Sequence, residues 1–392
     1  MINPHWSYAI SFLGAALVYQ FGWSKIYPPL SNAILLFISS TIVIHLFLGW
    51  LWKKKWKPYP LASEQVSPIA ITFFLFCFWI IEFVYARGIP LVKIILQQPY
   101  NYRLFGIPSL HVFNVTFASF YTVFLFHLYL TNRKRIDLIL FFINLSSSLL
   151  IYSRAMFLFI LIASLFIFLT STPVRLLPLA MVGAISVFGF LYFFGVLGNM
   201  RESAEAKRSY DPDLFMEVGQ PTDRFNNSII PKEFFWSYIY ISSPLANLQT
   251  NIQSPQPLLS KNVIWQHINN EMLFDFISKR VNKICGWERV KEKTIPGPFN
   301  VSTVYSRSFS YQGWWGLALM AVFVSVFPWV YFWLLPRNPY SLTGAAILST
   351  MYLFLVYDNT IRFTGLGLQL VYPFVFPLFL QVRSWTMKRM PQ

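Results

Sequence analysis

Residues 136–170, IDLILFFINLSSSLLIYSRAMFLFILIASLFIFLT, form one apolar stretch interrupted by Tyr152, Ser153 and Arg154. At about 1.5 Å per residue, the stretch is too long for one comfortable crossing of a bilayer and about right for two short ones. Two crossings put Arg154 at the tip of a hairpin and set the parity of the whole chain. Outward from there, further apolar runs fall at 8–23, 31–52, 68–86, 109–130, 177–197, 312–335, 341–358 and 364–381. Each is within or near the roughly 17–25 residues that a helix needs to cross hydrocarbon. Backbone polar groups must be satisfied within the segment there, so the spans are expected to be helices. The expected fold is all-α and polytopic, with about ten transmembrane helices and one long polar loop containing short helices. It divides into 1–197 (helices 1–7), 198–310 (the loop) and 311–392 (helices 8–10 and a tail).

Composition points the same way. The chain is 56% hydrophobic and only 12% charged, about half the usual soluble value, with a mean hydropathy of +0.50. The net charge of +16 does not indicate a nucleic-acid partner, because the basic residues are scattered among apolar spans. Cys77 lies inside an apolar run and Cys285 in the long loop, so no disulfide is expected. The start, MINPHWSYAI, lacks the basic region of a cleaved signal peptide, and its apolar segment is expected to stay as the first span.

Orientation follows from the short loops. Lys53, Lys54, Lys55 and Lys57 follow the second run, Arg133, Lys134 and Arg135 the fourth, and Arg175 the sixth. Arg337 follows the eighth, and Arg383, Lys388 and Arg389 the tenth. With ten spans all of these fall on one side, which the positive-inside rule makes the cytoplasm. Both termini are then cytoplasmic and the 198–310 loop lies outside.

That loop holds eleven of the fifteen acidic residues. Connections without a task are usually short, so it reads as the outer part of a reaction chamber. Within it, KEFFWSYIYISSPLANLQT at 232–250 is aromatic enough to lie in the membrane interface. IWQHINNEMLFDFISKRV at 264–281 has apolar residues near helical spacing. Pro-rich pieces, SPQPLL and TIPGPFN, separate these elements. The 87–108 loop is expected to hold a short interfacial helix around Leu91, Ile94, Ile95 and Leu96, with Tyr100, Tyr102 and Arg103 at its exit.

The outer ends of the spans gather arginines: Arg87, Arg103, Arg154, Arg201, Arg208, Arg224, Arg307 and Arg362. A guanidinium is always charged, and its fork of donors matches phosphate oxygens. Several converging from different hairpins would hold a pyrophosphate and stabilise charge growing on it as a leaving group. The plainer account is that terminal arginines snorkel to headgroups. Asp358 lies four residues before Arg362 and would pair with it if the helix continued. Asp223 beside Arg224 offers a second acid and base, and Glu82 either lines the cavity or packs against a polar partner. His111, at the outer start of span 4, is a candidate general base, as is His267. No His/Cys/Asp spacing suggests a metal site, and no glycine-rich phosphate loop appears, so no cofactor is expected.

Three pieces of the chain resemble the bacterial O-antigen (oligosaccharide repeat-unit) polymerases of the Wzy type. They are IYSRAMFLFILIASLFIFL at 151–169, SYIYISSPLANLQ at 237–249 and FNVSTVYSRSFSYQGWWG at 299–316. The resemblance spans roughly residues 30–380, although the acidic residue often found before the glycine-spaced element is replaced by Ser310-Tyr311-Gln312. It implies a multi-pass glycosyltransferase of the bacterial inner membrane that uses no nucleotide sugar. Such an enzyme moves a growing glycan from undecaprenyl pyrophosphate to a hydroxyl of a new lipid-linked repeat unit. By context, the family's outward-facing arginines correspond to Arg154, Arg224, Arg307 and Arg362. Membrane lipids and lipid-linked oligosaccharides are the implied partners, with a regulator of chain length. Two other classes stay open: a ligase that moves finished glycan to lipid A core, and a polysaccharide flippase or other transporter.

Overall fold

The computed structural model describes residues 2–56, 67–96, 98, 105–173, 175–205, 209–254, 262–335 and 337–377. Among them the regular structure is helical. The long helices are α1 (Pro4–Tyr19), α2 (Asn32–Lys55), α3 (Pro68–Tyr85), α5 (Leu110–Asn132), α6 (Arg135–Leu150), α7 (Arg154–Ser171), α8 (Leu176–Glu205), α15 (Trp314–Leu334) and α16 (Ser341–Phe354). Between α3 and α5 lies α4 (Pro90–Ile95). Between α8 and α15 lie α9 (Asp213–Gly219), α10 (Asp223–Asn226), α11 (Phe234–Gln253), α12 (Val263–Met272), α13 (Asp275–Cys285) and α14 (Ser306–Gln312). After α16 come α17 (Thr364–Gly367) and a 3-10 turn, Leu368–Leu370.

Among the described residues, six segments are long and apolar enough to cross a membrane: α2, α3, α5, α7, Met181–Met200 within α8, and α15. The expected spans at 8–23, 136–152 and 341–358 appear as shorter helices, α1 and α6 of 16 residues and α16 of 14. The 136–170 stretch does turn back on itself. Tyr152 takes a left-handed φ of 57°, and the Ser153 hydroxyl accepts from the Met156 amide at 3.4 Å, starting α7 at Arg154. Residues 364–381 are not one continuous helix over their described part. The chain there is broken into α17, the 3-10 turn and a helical turn at 372–377. Pro373 removes a backbone donor, and Gly365 and Gly367 weaken the helix. Gly367 is required where it stands, since an added Cβ would collide with the Ile361 carbonyl and the Phe274 ring.

Contacts between helix ends sort the structure into two poles. At one, Asn3 donates to the Gly49 carbonyl at 2.8 Å, the Ile2 amide meets Thr170 at 3.2 Å, and Lys55 lies over Trp329. That pole collects the start of α1 and the ends of α2, α7 and α15. At the other, the Ser31 amide before α2 donates to Gln249 of α11 at 2.7 Å, and Phe159 near the start of α7 stacks on Phe354 at the end of α16. The end of α3 meets the start of α5 there, through Glu82 and His111.

The second pole is covered by α11 to α14. The expectation that 232–250 lies in the membrane interface is corrected: Phe235, Trp236, Tyr238, Ile239, Leu245, Ala246 and Leu248 of α11 are all buried. Glycines in α8 let α11 approach, since a Cβ at Gly195 or Gly198 would meet the Glu233 backbone or the Trp236 ring. The helical reading of 264–281 holds as two helices that break after Met272, and α4 occupies the place expected for the short helix of the 87–108 loop. Tyr100, Tyr102, Arg103 and most of SPQPLL lie outside the described residues. Cys77 and Cys285 are both free.

Candidate functional site

Two asparagines one turn apart on α11 build the floor of the site. Asn247 donates to the Phe299 and Val301 carbonyls at 2.7 and 2.6 Å and accepts from the Ile295 amide at 2.8 Å. Asn251 donates to the Ser306 carbonyl at 2.7 Å and accepts from the Lys293 amide at 2.9 Å. The irregular chain from 293 to 306 has no helical ladder of its own, so these side chains satisfy its backbone. They fix the two residues that bracket it, Glu292 and Arg307.

Arg307, at the start of α14, spans two carboxylates: Glu292 at 3.1 Å from Nη2 and Asp358 at 3.2 Å from Nη1. Arg289 grips Glu271 of α12, with Nε and Nη2 each 3.1 Å from Oε1, and Glu271 is 1% exposed. The third arginine, Arg362, comes from the segment joining α16 to α17. Its residue is 8% exposed, and its Nε has no hydrogen-bond partner. That segment is pinned at several points. Asn359 donates to the Glu271 carbonyl at 2.6 Å, the Asp275 amide donates to the Arg362 carbonyl at 3.0 Å, and the Thr364 amide donates to Asp275 at 3.1 Å.

Arg362 senses both of the other arginines. Burial holds Arg362 below the usual arginine value; Glu271 and Asp275 oppose this, while Arg289 and Arg307 push the same way. For Arg307 burial also disfavours the charge, but Glu292, Asp358 and Glu271 more than offset it and the value rises. Glu292 is raised by its own burial against the opposing pull of Arg307. Beneath them, His267 of α12 stacks on Tyr311 of α14, with ring centroids 5.4 Å apart. Burial lowers His267 to about 4; Gln312 favours the charged ring without meeting hydrogen-bond geometry at either nitrogen. The arrangement is a compact set of fixed donors with one arginine kept partly unpaired. Such a set suits an anion with several oxygens.

Of the residues expected from sequence, Arg307, Asp358 and Arg362 come together. Their pairing differs from the expectation: α16 ends at Phe354, so Asp358 and Arg362 share no helix face, and Asp358 turns to Arg307. Arg154 shares the pole, because the start of α7 meets the end of α16, but it is exposed and lies over the Tyr152 ring. Arg224 is exposed and Asp223 pairs with Lys25 at 3.2 Å on the surface; no bond among the described residues joins either to the cluster. His111 pairs with Glu82, one of the two readings open for that glutamate. Arg289, Glu271 and Glu292 were not expected. Arg289 and Glu292 sit in WERVKEK, a mixed-charge run that reads as solvated surface.

No protein-family model, no curated protein and no solved structure matches this chain.

Proposed function

We propose that this protein is an inner-membrane glycosyltransferase. It extends an oligosaccharide by moving the glycan from undecaprenyl pyrophosphate to a lipid-linked repeat unit at the outer face. The supporting observation is the convergence of Arg289, Arg307 and Arg362 from three separate segments at one pole of the helices, with Arg362 buried and not fully paired. A lipid pyrophosphate presents its charge at such a depth, its tail in hydrocarbon and its sugars in water. As the bond from the anomeric carbon to the phosphate oxygen breaks, the pyrophosphate gains charge, and fixed guanidinium donors stabilise it without reorganising. Both termini would be cytoplasmic in the ten-span arrangement, with the 198–310 loop in the periplasm.

The test uses purified protein in nanodiscs with lipid-linked repeat extracted from cells that make it, in chelator and without nucleotide. Lengthening of the glycan supports the proposal. Movement of the labelled lipid across the bilayer with no lengthening would favour a transporter, and transfer only when lipid A core is supplied would favour the ligase.

A further inference from the structure

At the same pole as the arginine cluster, joined to it through α17 and the 3-10 turn that pack on α5, stands a second group of polar side chains that the clamp does not use. Glu82, near the end of α3, is fully buried, and its Oε2 is 2.8 Å from Nδ1 of His111 on the first turn of α5. The imidazole ring is held on its other sides. Phe105 meets it edge-on at 5.2 Å, Trp79 at 6.3 Å, and a Cβ at Gly106 would collide with it. With Glu82 accepting the Nδ1 proton, the lone pair sits on Nε2, which makes no hydrogen bond among the described residues. The side chain is 26% exposed. Three residues on, Asn114 is 1% exposed, and neither amide atom has a partner. Gln369, in the 3-10 turn, is fully buried, and both its amide atoms are likewise unpartnered. That turn and α17 pack against α5, and α17 begins two residues after Arg362.

A buried carboxamide offers two donors and two acceptor lone pairs, and leaving them unmet is unfavourable. A purely anionic ligand would satisfy the NH₂ groups and repel the carbonyl oxygens. A hydroxyl both donates and accepts, so hydroxyl groups of a sugar meet both halves of each amide.

We propose that the start of α5 is the acceptor site, resting on the transferase reading above: Asn114 and Gln369 hold sugar hydroxyls, and His111, oriented by Glu82, is the general base. The acceptor O–H bond breaks as its oxygen joins the anomeric carbon. The proton goes to Nε2 of His111, and the electron pair of the breaking C–O bond leaves on the pyrophosphate. Glu82 holds the ring through Nδ1 while the proton is on Nε2, and the imidazolium then returns that proton to water. Glu82 is therefore a positioning residue. Other charged groups on the elements packed around α3 and α5 are Arg135 and Asp137 of α6, Arg154 of α7 and Lys93 of α4, whose ammonium is bonded to the Ala86 carbonyl, with Arg87 just past α3; α17 and the 3-10 turn carry no titratable side chain.

The experiment compares wild type, His111→Gln, Glu82→Gln, the double variant, Asn114→Leu and Gln369→Leu in nanodiscs. Undecaprenyl pyrophosphate binding and Tm serve as checks on the clamp and the fold. In single-turnover transfer, His111→Gln is expected to lose about 10²–10⁴-fold in rate and the acid inflection of the pH–rate profile, with undecaprenyl pyrophosphate still bound. Glu82→Gln should slow transfer and move the inflection, and the double variant should be no slower than His111→Gln. The two leucine variants should raise KM for the acceptor repeat more than they change kcat. A wild-type pH profile in His111→Gln, or strictly additive losses in the double variant, would overturn the base assignment. An unchanged acceptor KM in both leucine variants would mean that the amides hold only water and would overturn the subsite. If wild type neither binds undecaprenyl pyrophosphate nor transfers, the transferase reading itself fails, and with it this proposal.

Discussion

Arg307 stands between a buried and an exposed carboxylate, and Asp358 is the exposed one: the side chain of Asp358 is 59% accessible, whereas that of Glu292 is 9% accessible. The two ion pairs have almost equal lengths, yet they differ in what they do. A pair reaching into water is screened and worth at most about 1 kcal/mol, while a buried pair sets where the guanidinium sits. Asp358 also caps its own turn by accepting from the Asn359 amide at 2.7 Å.

Asp358→Asn is therefore expected to leave Tm within a few degrees of wild type and to reduce transfer less than tenfold. Glu292→Gln should reduce transfer by roughly 10²-fold, because losing the buried partner lets the arginine move off the donor. Equal effects of the two substitutions in single-turnover assays would contradict this ordering.

The asparagine pair on α11 makes a prediction about folding. Asn251→Ala leaves the buried Ser306 carbonyl and the more exposed Lys293 amide without their side-chain partner, a loss of about 1–3 kcal/mol for the buried carbonyl. Tm should drop measurably, and transfer should drop with it even at temperatures where the variant is folded, since Glu292 and Arg307 both hang from this segment. Wild-type transfer by folded Asn251→Ala would show that the loop holds its shape without the clamp.

His267 gives a pH signature. Its folded-state value of about 4 lies below the ordinary 6.5, so the fold prefers the neutral ring. The associated stability is fully present above pH 6.5 and is lost as pH falls toward 4. At about 1.4 kcal/mol per unit of displacement, the contribution is on the order of 3 kcal/mol. Glu292 has the opposite sense: its raised carboxyl favours the fold at low pH and withdraws that contribution as pH rises above the ordinary glutamate value. His267→Gln should flatten the decline of Tm between pH 6.5 and 4 relative to wild type; parallel Tm curves would count against burial of a neutral ring.

Most of the helices were legible because apolar length is a local property. Ser31, Ser67 and Ser153 cap α2, α3 and α7 through their own side chains, as such residues do wherever a helix begins. The burial of α11 was not legible, because an aromatic segment suits an interface and a protein core equally well. The site was half legible. An arginine after a span can be placed on a side of the membrane, but its partner cannot be read from spacing once the chain turns at residue 355. Glu271 and Arg289 are 18 residues apart and meet only through the fold. Asn247 lay in one of the stretches that resembled the polymerases, yet its task, satisfying a loop backbone some 50 residues away, has no sequence signal.

Topology can be tested with a native residue. Cys285 is exposed at the end of α13, and Arg337 is exposed between α15 and α16. Ser203 is a poor probe, since it is 2% exposed and bonded to the Asp211 amide at 2.9 Å. In a Cys77→Ser background, an impermeant maleimide added to intact spheroplasts should label Cys285. Arg337→Cys in a background without native cysteines should label only after lysis. The reverse pattern would invert the membrane orientation.

The last prediction concerns Arg362, on which the proposed clamp depends most. Arg289 and Arg307 each have a carboxylate partner, so much of their donor capacity is spent within the protein. Arg362 is more buried than either but keeps Nε free, and its backbone is fixed on both sides by Asn359 and Asp275. It is the arginine best able to meet an incoming anion without breaking an existing pair. Arg362→Lys retains the charge on a compact ammonium but loses the planar fork, so it separates charge from geometry. If the fork meets the departing pyrophosphate, Arg362→Lys and Arg362→Ala should both lower single-turnover transfer by about 10²–10³-fold. A group acting only through its charge would be largely rescued by lysine. Arg280→Ala is the control, because that arginine is exposed on α13 and bonds the Phe276 carbonyl of its own helix. Its transfer should match wild type. Removing a buried cation from beside Glu271 also alters stability, so each variant is compared at equal distance below its own Tm. Near-wild-type transfer by Arg362→Ala under those conditions would remove Arg362 from the chemistry and shift the pyrophosphate site toward Arg289.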